Sequence, residues 1–277
     1  PATYEVEGLV LESDAAECIA FDRVFPIFDD ESVLLARTIE PGNGVLLDIG
    51  TGSGIQALVA AARGWTAVGT DVNLRALACA AHNATHNDLS NCVSWRAVNL
   101  FDDLPVGGFD RVVANPPFLP SPAGASMPLS SDGGMNGLRV VGPLIQSVRC
   151  YLKPGGVFTL LAVSIGTRRR TLVEQMIRES FNPTTDSITM LDLYGEALPL
   201  ADLADCFSEL PGVETWMRPL RQEGFCELRY LLFVVRREGT ARCPVISALE
   251  RSEFSGGWQN RLARYRAWLE ALKGAAA

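Results

Sequence analysis

Asn115-Pro116-Pro117-Phe118 is the most chemically loaded stretch of this 277-residue chain. Two prolines fix φ twice and withdraw two N–H donors, so the peptide is stiff. A stiff peptide can present the Asn115 side-chain oxygen and the Pro116 carbonyl as fixed acceptors. Two such acceptors can hold both hydrogens of a planar amino group, and Phe118 can stack on its face. A second stretch, Val45 to Ala57, reads as buried strand, glycine turn and helix start, with Asp48-Ile49-Gly50-Thr51-Gly52-Ser53-Gly54 at its centre. Glycines permit positive φ and let a ligand reach the main chain. The N–H groups at the helix start would then face that ligand. The dinucleotide fingerprint requires a small residue at position 55, where this chain has Ile55. A carboxylate at Asp48, just before the turn, suits an ammonium better than a pyrophosphate. The turn therefore favours a ligand with an amino-acid moiety over NAD.

Two further polar residues fall at predicted strand tips. Asp71, followed by Val72, can accept from both hydroxyls of a ribose. Asn99, followed by Leu100, offers a donor and an acceptor for an adenine edge. The candidate cofactor set is Asp48, Gly50, Thr51, Gly52, Gly54, Asp71, Val72, Asn99, Leu100 and Asn115. The candidate catalytic set is Asn115, Pro116 and Phe118.

The elements that must carry these residues form a regular rhythm. Short β-branched runs at 45–49, 67–72, 93–98, 111–114, 157–163, 187–193 and 230–235 suit buried strands. Helical spacing separates them at 55–63, 74–87 and 138–151. This predicts βαβ units in an α/β, Rossmann-like fold, with a seven-stranded mainly parallel sheet and helices on both faces. Residues 1–40 read as an N-terminal arm and 41–240 as the catalytic domain. Residues 196–229 read as an insertion with one or two short helices, broken at Pro199, Pro211 and Pro219. Residues 241–277 read as a loop and a terminal helix over 258–273. Within the arm, a helix capped by Asp29, Asp30 or Ser32 is expected after Phe21–Phe28.

The pattern of residues resembles the class I S-adenosylmethionine-dependent methyltransferases, within them the group carrying an Asn/Asp-Pro-Pro-Tyr/Phe motif. The resemblance spans Phe21 to Gly166 and rests on Asp48 to Gly54, Asp71 and Asn115 to Phe118. It implies S-adenosylmethionine as cofactor and methyl transfer to a nitrogen of a small molecule or a protein side chain held by the Asn-Pro-Pro-Phe loop. Methylation of a flipped RNA or DNA base is the alternative. Another transfer from the same cofactor, or a silent cofactor-binding subunit, is a further one. In the resembling families the 21–28 stretch folds over the methionine end and the substrate. Asp132 to Leu138 resembles the Asp-Gly-Gly-rich segment of release-factor glutamine methyltransferases. Asn136 replaces the acid expected there, and about 40 residues precede the first core strand, too few for their helical substrate domain.

Composition narrows the partners. A net charge of −8 disfavours a nucleic-acid coat, because phosphate repels it. Seven dispersed cysteines without a C-x-x-C pair read as reduced thiols. With no long apolar span and no basic leader, the expected setting is cytoplasmic, with no membrane partner. His82 and His86 are spaced i, i+4 but lack a third ligand, so no metal is expected and a polar helix face is the reading. Arg168–Arg170 reads as a solvated turn or helix start. Arg261, Arg264, Arg266 and Lys273 read as a solvated side of the terminal helix beside Glu270.

Overall fold

The computed structural model describes residues 1–239 and 257–276. A hairpin of β1 (Ala2–Val6) and β2 (Leu9–Ser13) comes first, turning at Glu7 and Gly8, which both have positive φ. A π-helical turn over Asp29–Val33 runs into α1 (Leu34–Arg37). Then follow β3 (Val45–Ile49), α2 (Ile55–Ala62), β4 (Thr66–Asp71), α3 (Leu74–His86), β5 (Val93–Ala97), β6 (Phe109–Ala114), α4 (Val141–Tyr151) and β7 (Leu152–Gly166). The chain continues through α5 (Leu172–Ser180), β8 (Ser187–Asp192), β9 (Leu198–Pro199), α6 (Leu200–Asp205), α7 (Val213–Gln222) and β10 (Glu227–Arg236) to α8 (Gly257–Ala276). Among the described residues, no helix is long and apolar enough to cross a membrane.

The main sheet runs β5-β4-β3-β6-β7-β10-β8, and the short β9 pairs with one end of β10. Pairs from β5 through β7 are parallel, while β10 is antiparallel to β7, β8 and β9. The seven expected strands are therefore present, with β9 as an eighth. Side chains alternate across the sheet. Leu47 and Ile49 of β3 and Val112 and Ala114 of β6 join the largest apolar cluster. Leu46 and Val113, one position away, join another. Both faces are thus covered, which is why the central strands are apolar almost throughout.

Several local expectations need correction. The arm contains a hairpin that was not expected, fastened to α3 by Asn83 and Asn87, whose amides bond the backbone of Glu12 and Val10. The helix of the arm is not capped by a side chain. The amides of Glu31 and Val33 both donate to the Phe28 carbonyl, which builds the π-helical turn ahead of α1 and satisfies those donors without a cap. Pro219 lies within α7 and does not end it. α5 follows the Arg168–Arg170 run that was read as a turn or helix start, and Thr171 accepts from the Glu174 amide, as a Thr-x-x-Glu helix start prescribes. Arg168–Arg170 form an exposed turn before it. The loop expected after residue 239, with Cys243, lies outside the described residues.

The terminal helix forms as expected, but its basic residues do not all face solvent. Arg261 is 0% exposed and pairs with Glu31 of the arm at 2.8 Å. Its guanidinium carbon lies 4.0 Å from the Tyr230 ring centroid, and Nε donates to Tyr194 Oη at 3.1 Å. The amphipathic spacing of α8 was legible; the partner for its arginine, Glu31, sits over 200 residues away and was not.

Candidate active site

The carboxyl ends of β3, β4, β5 and β6 open into a cleft of about 200 Å³. Gly50, Thr51, Gly52, Asp71, Val72, Asn99, Leu100, Asn115, Pro116 and Phe118 all line it. The expected residues at four successive strand tips thus meet in one crevice, where open α/β sheets bind ligands. A Cβ at Gly50 would meet nothing within 4 Å, so the turn leaves open space on its ligand side.

Asp48 and Gly54 lie behind that wall. Asp48 is 1% exposed, and its Oδ2 accepts from Thr51 Oγ1 at 2.6 Å and from the Ala57 amide at 3.3 Å. It braces the turn against α2, and this geometry does not support the expected contact with a ligand ammonium. Gly54 has φ +85, and a Cβ there would come within 3.0 Å of the Ala80 Cβ and 3.1 Å of Trp95. Its glycine serves the packing of α2 on α3 and β5.

The N–H groups of the turn differ from expectation too. Those of Gly50 and Thr51 both donate to the Thr70 carbonyl, at 2.8 and 2.9 Å. That of Gly52 donates to Asp71 Oδ2 at 3.0 Å, and that of Gly54 to the Thr51 carbonyl. Four amides of the turn are thus bonded within the protein and do not face a ligand.

Asp71 closes β4 and also accepts from the Asn73 amide at 2.9 Å. Burial pushes its carboxyl above the usual range, and these backbone donors oppose the shift. Val72 is 52% exposed and Asn99 is exposed, so this end of the cleft is its open mouth.

Asn115 closes β6. Its Oδ1 is buried and has no hydrogen-bond partner. Such an atom costs free energy unless something fills the bond, about 1–3 kcal/mol. Phe118 is buried against Tyr230, with ring centroids 6.4 Å apart, so its ring is fixed from below. Behind it, Gly133 backs directly onto the peptide: a Cβ there would lie 2.5 Å from the Phe118 carbonyl carbon. The segment is held by Asp132, which pairs with Arg139 and accepts from the Gly134 amide. Trp216 of α7 donates to the Met135 carbonyl at 2.7 Å. The 196–229 stretch thus buttresses the loop behind Phe118.

One further contributor was expected and two were missed in the sequence. Arg23, Val24 and Phe25 of the arm roof the cleft, as do Leu129–Asp132 of the loop and Tyr265 of α8. The 21–28 stretch was expected over the site for its aromatic residues, and it brings Phe25 together with Arg23. Nothing local marks Ser130 or Tyr265.

The pH behaviour of Asp48 follows from its burial. Desolvation raises its pKa from 3.8 to about 7, against the hydrogen bonds from Thr51 and Ala57. Between those values the folded chain keeps a proton that the unfolded chain has lost, so stability from this group falls as pH rises through the window. Asp48→Asn keeps an oxygen acceptor and cannot ionise. Its advantage over the parent in urea unfolding should therefore grow from pH 5 to pH 8. The same difference at both pH values would show that Asp48 does not titrate in this range.

The sheet order and the cleft at the carboxyl ends of β3, β4, β5 and β6 define a Rossmann-like α/β fold. A family model described as the methyltransferase small domain matches residues 25–188, and the chain belongs to that family. Over 147 residues it is 36% identical to the release factor glutamine methyltransferase of Gloeobacter violaceus, covering 49% of this chain and 50% of that one. Over 124 residues it is 32% identical to the ribosomal protein uL3 glutamine methyltransferase of Bordetella pertussis, covering 41% and 42%. Over 161 residues it is 30% identical to the ribosomal RNA small subunit methyltransferase C of Alcanivorax borkumensis, covering 56% and 45%. The chain thus spans about half the length of these relatives.

Proposed function

We propose that this chain transfers a methyl group from S-adenosylmethionine to a carboxamide nitrogen, that of a glutamine side chain in a protein. The observation that carries the reading is the buried, partnerless Asn115 Oδ1 at the tip of β6, beside two prolines and inside the cleft. It supports the orientation role expected from the sequence. Asn115 Oδ1 and the Pro116 carbonyl would hold the two N–H groups of the acceptor, and Phe118 would face its plane. The bound cofactor supplies an activated methyl on a cationic sulfur. With the acceptor held by Asn115 and Pro116, the nitrogen would take that methyl, the sulfur would keep the electron pair of the broken carbon–sulfur bond, and one N–H proton would leave to solvent. Asp71 would take the ribose hydroxyls and Asn99, with Leu100 and Val72, the adenine. The two glutamine methyltransferases among the relatives favour an amide acceptor over a base, and the net charge of −8 points the same way.

The test supplies isotopically labelled S-adenosylmethionine with a glutamine-bearing peptide, its Gln→Glu counterpart and total RNA. Label is expected in the glutamine peptide alone. Label confined to RNA, or equal in both peptides, would refute the amide assignment.

A further inference from the structure

A buried guanidinium in the cleft, Arg23, has no carboxylate at ion-pair distance among the described residues. We propose that Arg23 is a carboxylate-binding residue and that its ligand is the α-carboxylate at the methionyl end of the cofactor, an assignment that rests on the cofactor reading above.

Arg23 is 8% exposed and lines the cleft. Its Nη1 donates to the Cys18 carbonyl at 3.2 Å and its Nη2 to Ser131 Oγ at 3.4 Å, while Nε is buried and has no partner. Both acceptors are neutral. Among the described residues no carboxylate stands at ion-pair distance from it. Phe25 and Trp268 flank the guanidinium, their ring centroids 5.8 and 5.6 Å from its carbon. Burial works against its charge and pulls its pKa down, with the Coulomb fields of Cys18, Glu31 and Asp14 opposing. A cation held this way is costly until an anion reaches it.

The arm's anchors say where that anion sits. The Asp22 carbonyl accepts from Asn73 Nδ2 at 2.7 Å, just beyond the tip of β4. The Phe21 carbonyl accepts from the Leu129 amide at 2.9 Å, in the loop that follows β6. In the sheet β3 lies between β4 and β6. Arg23 therefore spans the glycine turn that ends β3. With the ribose at Asp71 and the methyl near Asn115, the amino-acid end of the cofactor falls at that turn. In the turn itself the amides of Gly50, Thr51, Gly52 and Gly54 are already bonded within the protein. Arg23 faces it from the opposite wall and supplies the missing positive donor.

The experiment compares two nucleosides by calorimetry: S-adenosylhomocysteine, which carries the carboxylate, and 5′-methylthioadenosine, which lacks the amino-acid end. Arg23→Gln should weaken S-adenosylhomocysteine about 10- to 100-fold, the size of a lost charge-assisted bond. It should leave 5′-methylthioadenosine within about twofold, which also shows that the variant is folded. Arg23→Lys should recover part of the loss, because the charge remains but the planar fork does not. Equal weakening of both nucleosides, or unchanged affinity for both, overturns the assignment; in the second case the guanidinium does not serve the cofactor. A parent chain that binds neither nucleoside refutes the cofactor reading itself. A parent that binds both in a ratio the substitution does not alter refutes Arg23 alone.

Discussion

Asn115→Ala is expected to slow methyl transfer by about three orders of magnitude while S-adenosylhomocysteine affinity stays within about threefold. The two effects separate because Asn115 follows β6, which β3 parts from β4 and β5, the strands whose tips carry the proposed nucleoside contacts Asp71 and Asn99. The buried Oδ1 has no bond to lose within the protein, so its removal relieves an unpaired acceptor and does not unfold the loop. Backbone rigidity from Pro116 and Pro117 survives the change. What disappears is the acceptor that fixes one N–H and so turns the nitrogen lone pair toward the methyl. Orientation can supply ~7–11 kcal/mol in well-aligned reactions, and one of two fixed acceptors carries a large share of it. Asn115→Asp keeps an oxygen in place and should retain more turnover than alanine. Single-turnover rates with the labelled cofactor give the first number, and calorimetry the second. An alanine variant as fast as the parent removes Asn115 from the mechanism. A variant that is slow because it no longer binds S-adenosylhomocysteine reassigns the residue to the cofactor.

The sheet was legible because its strands are local events. Val45–Ile49 is apolar on both faces, ends at glycine and is followed by an alanine-rich helix, so strand, turn and helix were fixed within a short window. Asp71, Asn99 and Asn115 follow from the same logic: parallel strands deliver their last residues to one edge. The hydrogen bonding of the turn was not legible. Whether the Gly50 and Thr51 amides face a ligand or the Thr70 carbonyl depends on how β4 docks, and the glycine spacing is compatible with both. Asp48 was misread for the same reason, since its ligands Thr51 and Ala57 compete with any external ammonium. The roof was least visible. Arg23, Ser131 and Trp268 come from three distant segments, and each alone resembles an ordinary surface residue. Only the packed chain shows a cation left in apolar surroundings.

Arg261→Met should destabilise the chain by about 3–5 kcal/mol, a loss typical of breaking one side of a buried ion pair. Arg261 and Glu31 are 0% and 4% exposed at their side chains and lie 2.8 Å apart, so solvent screens neither charge. Arg264 is a second cation near Glu31, at 3.6 Å, and softens the loss without replacing the shorter contact. The guanidinium also sits over Tyr230 and bonds Tyr194 and Tyr265, contacts that a thioether cannot reproduce. Burial works to strip the Arg261 proton, and the field of Glu31 with the three tyrosines more than offsets it, so the pKa rises and the charge is secure. The diagnostic variant is the double one. Glu31→Leu with Arg261→Met removes both charges together, and its cost should fall well below the sum of the two single changes, because neither ion is then left buried against apolar groups. Urea unfolding of the parent, both singles and the double closes that cycle. Additive costs would mean the pair is not coupled and α8 is held by its apolar face alone, through Trp258, Leu262 and Trp268. The same series reads the site. α8 brings Tyr265 to the cleft and Trp268 onto Arg23, so loosening it should weaken S-adenosylhomocysteine more than 5′-methylthioadenosine. An equal effect on both nucleosides would separate the docking of α8 from the methionyl end of the cleft.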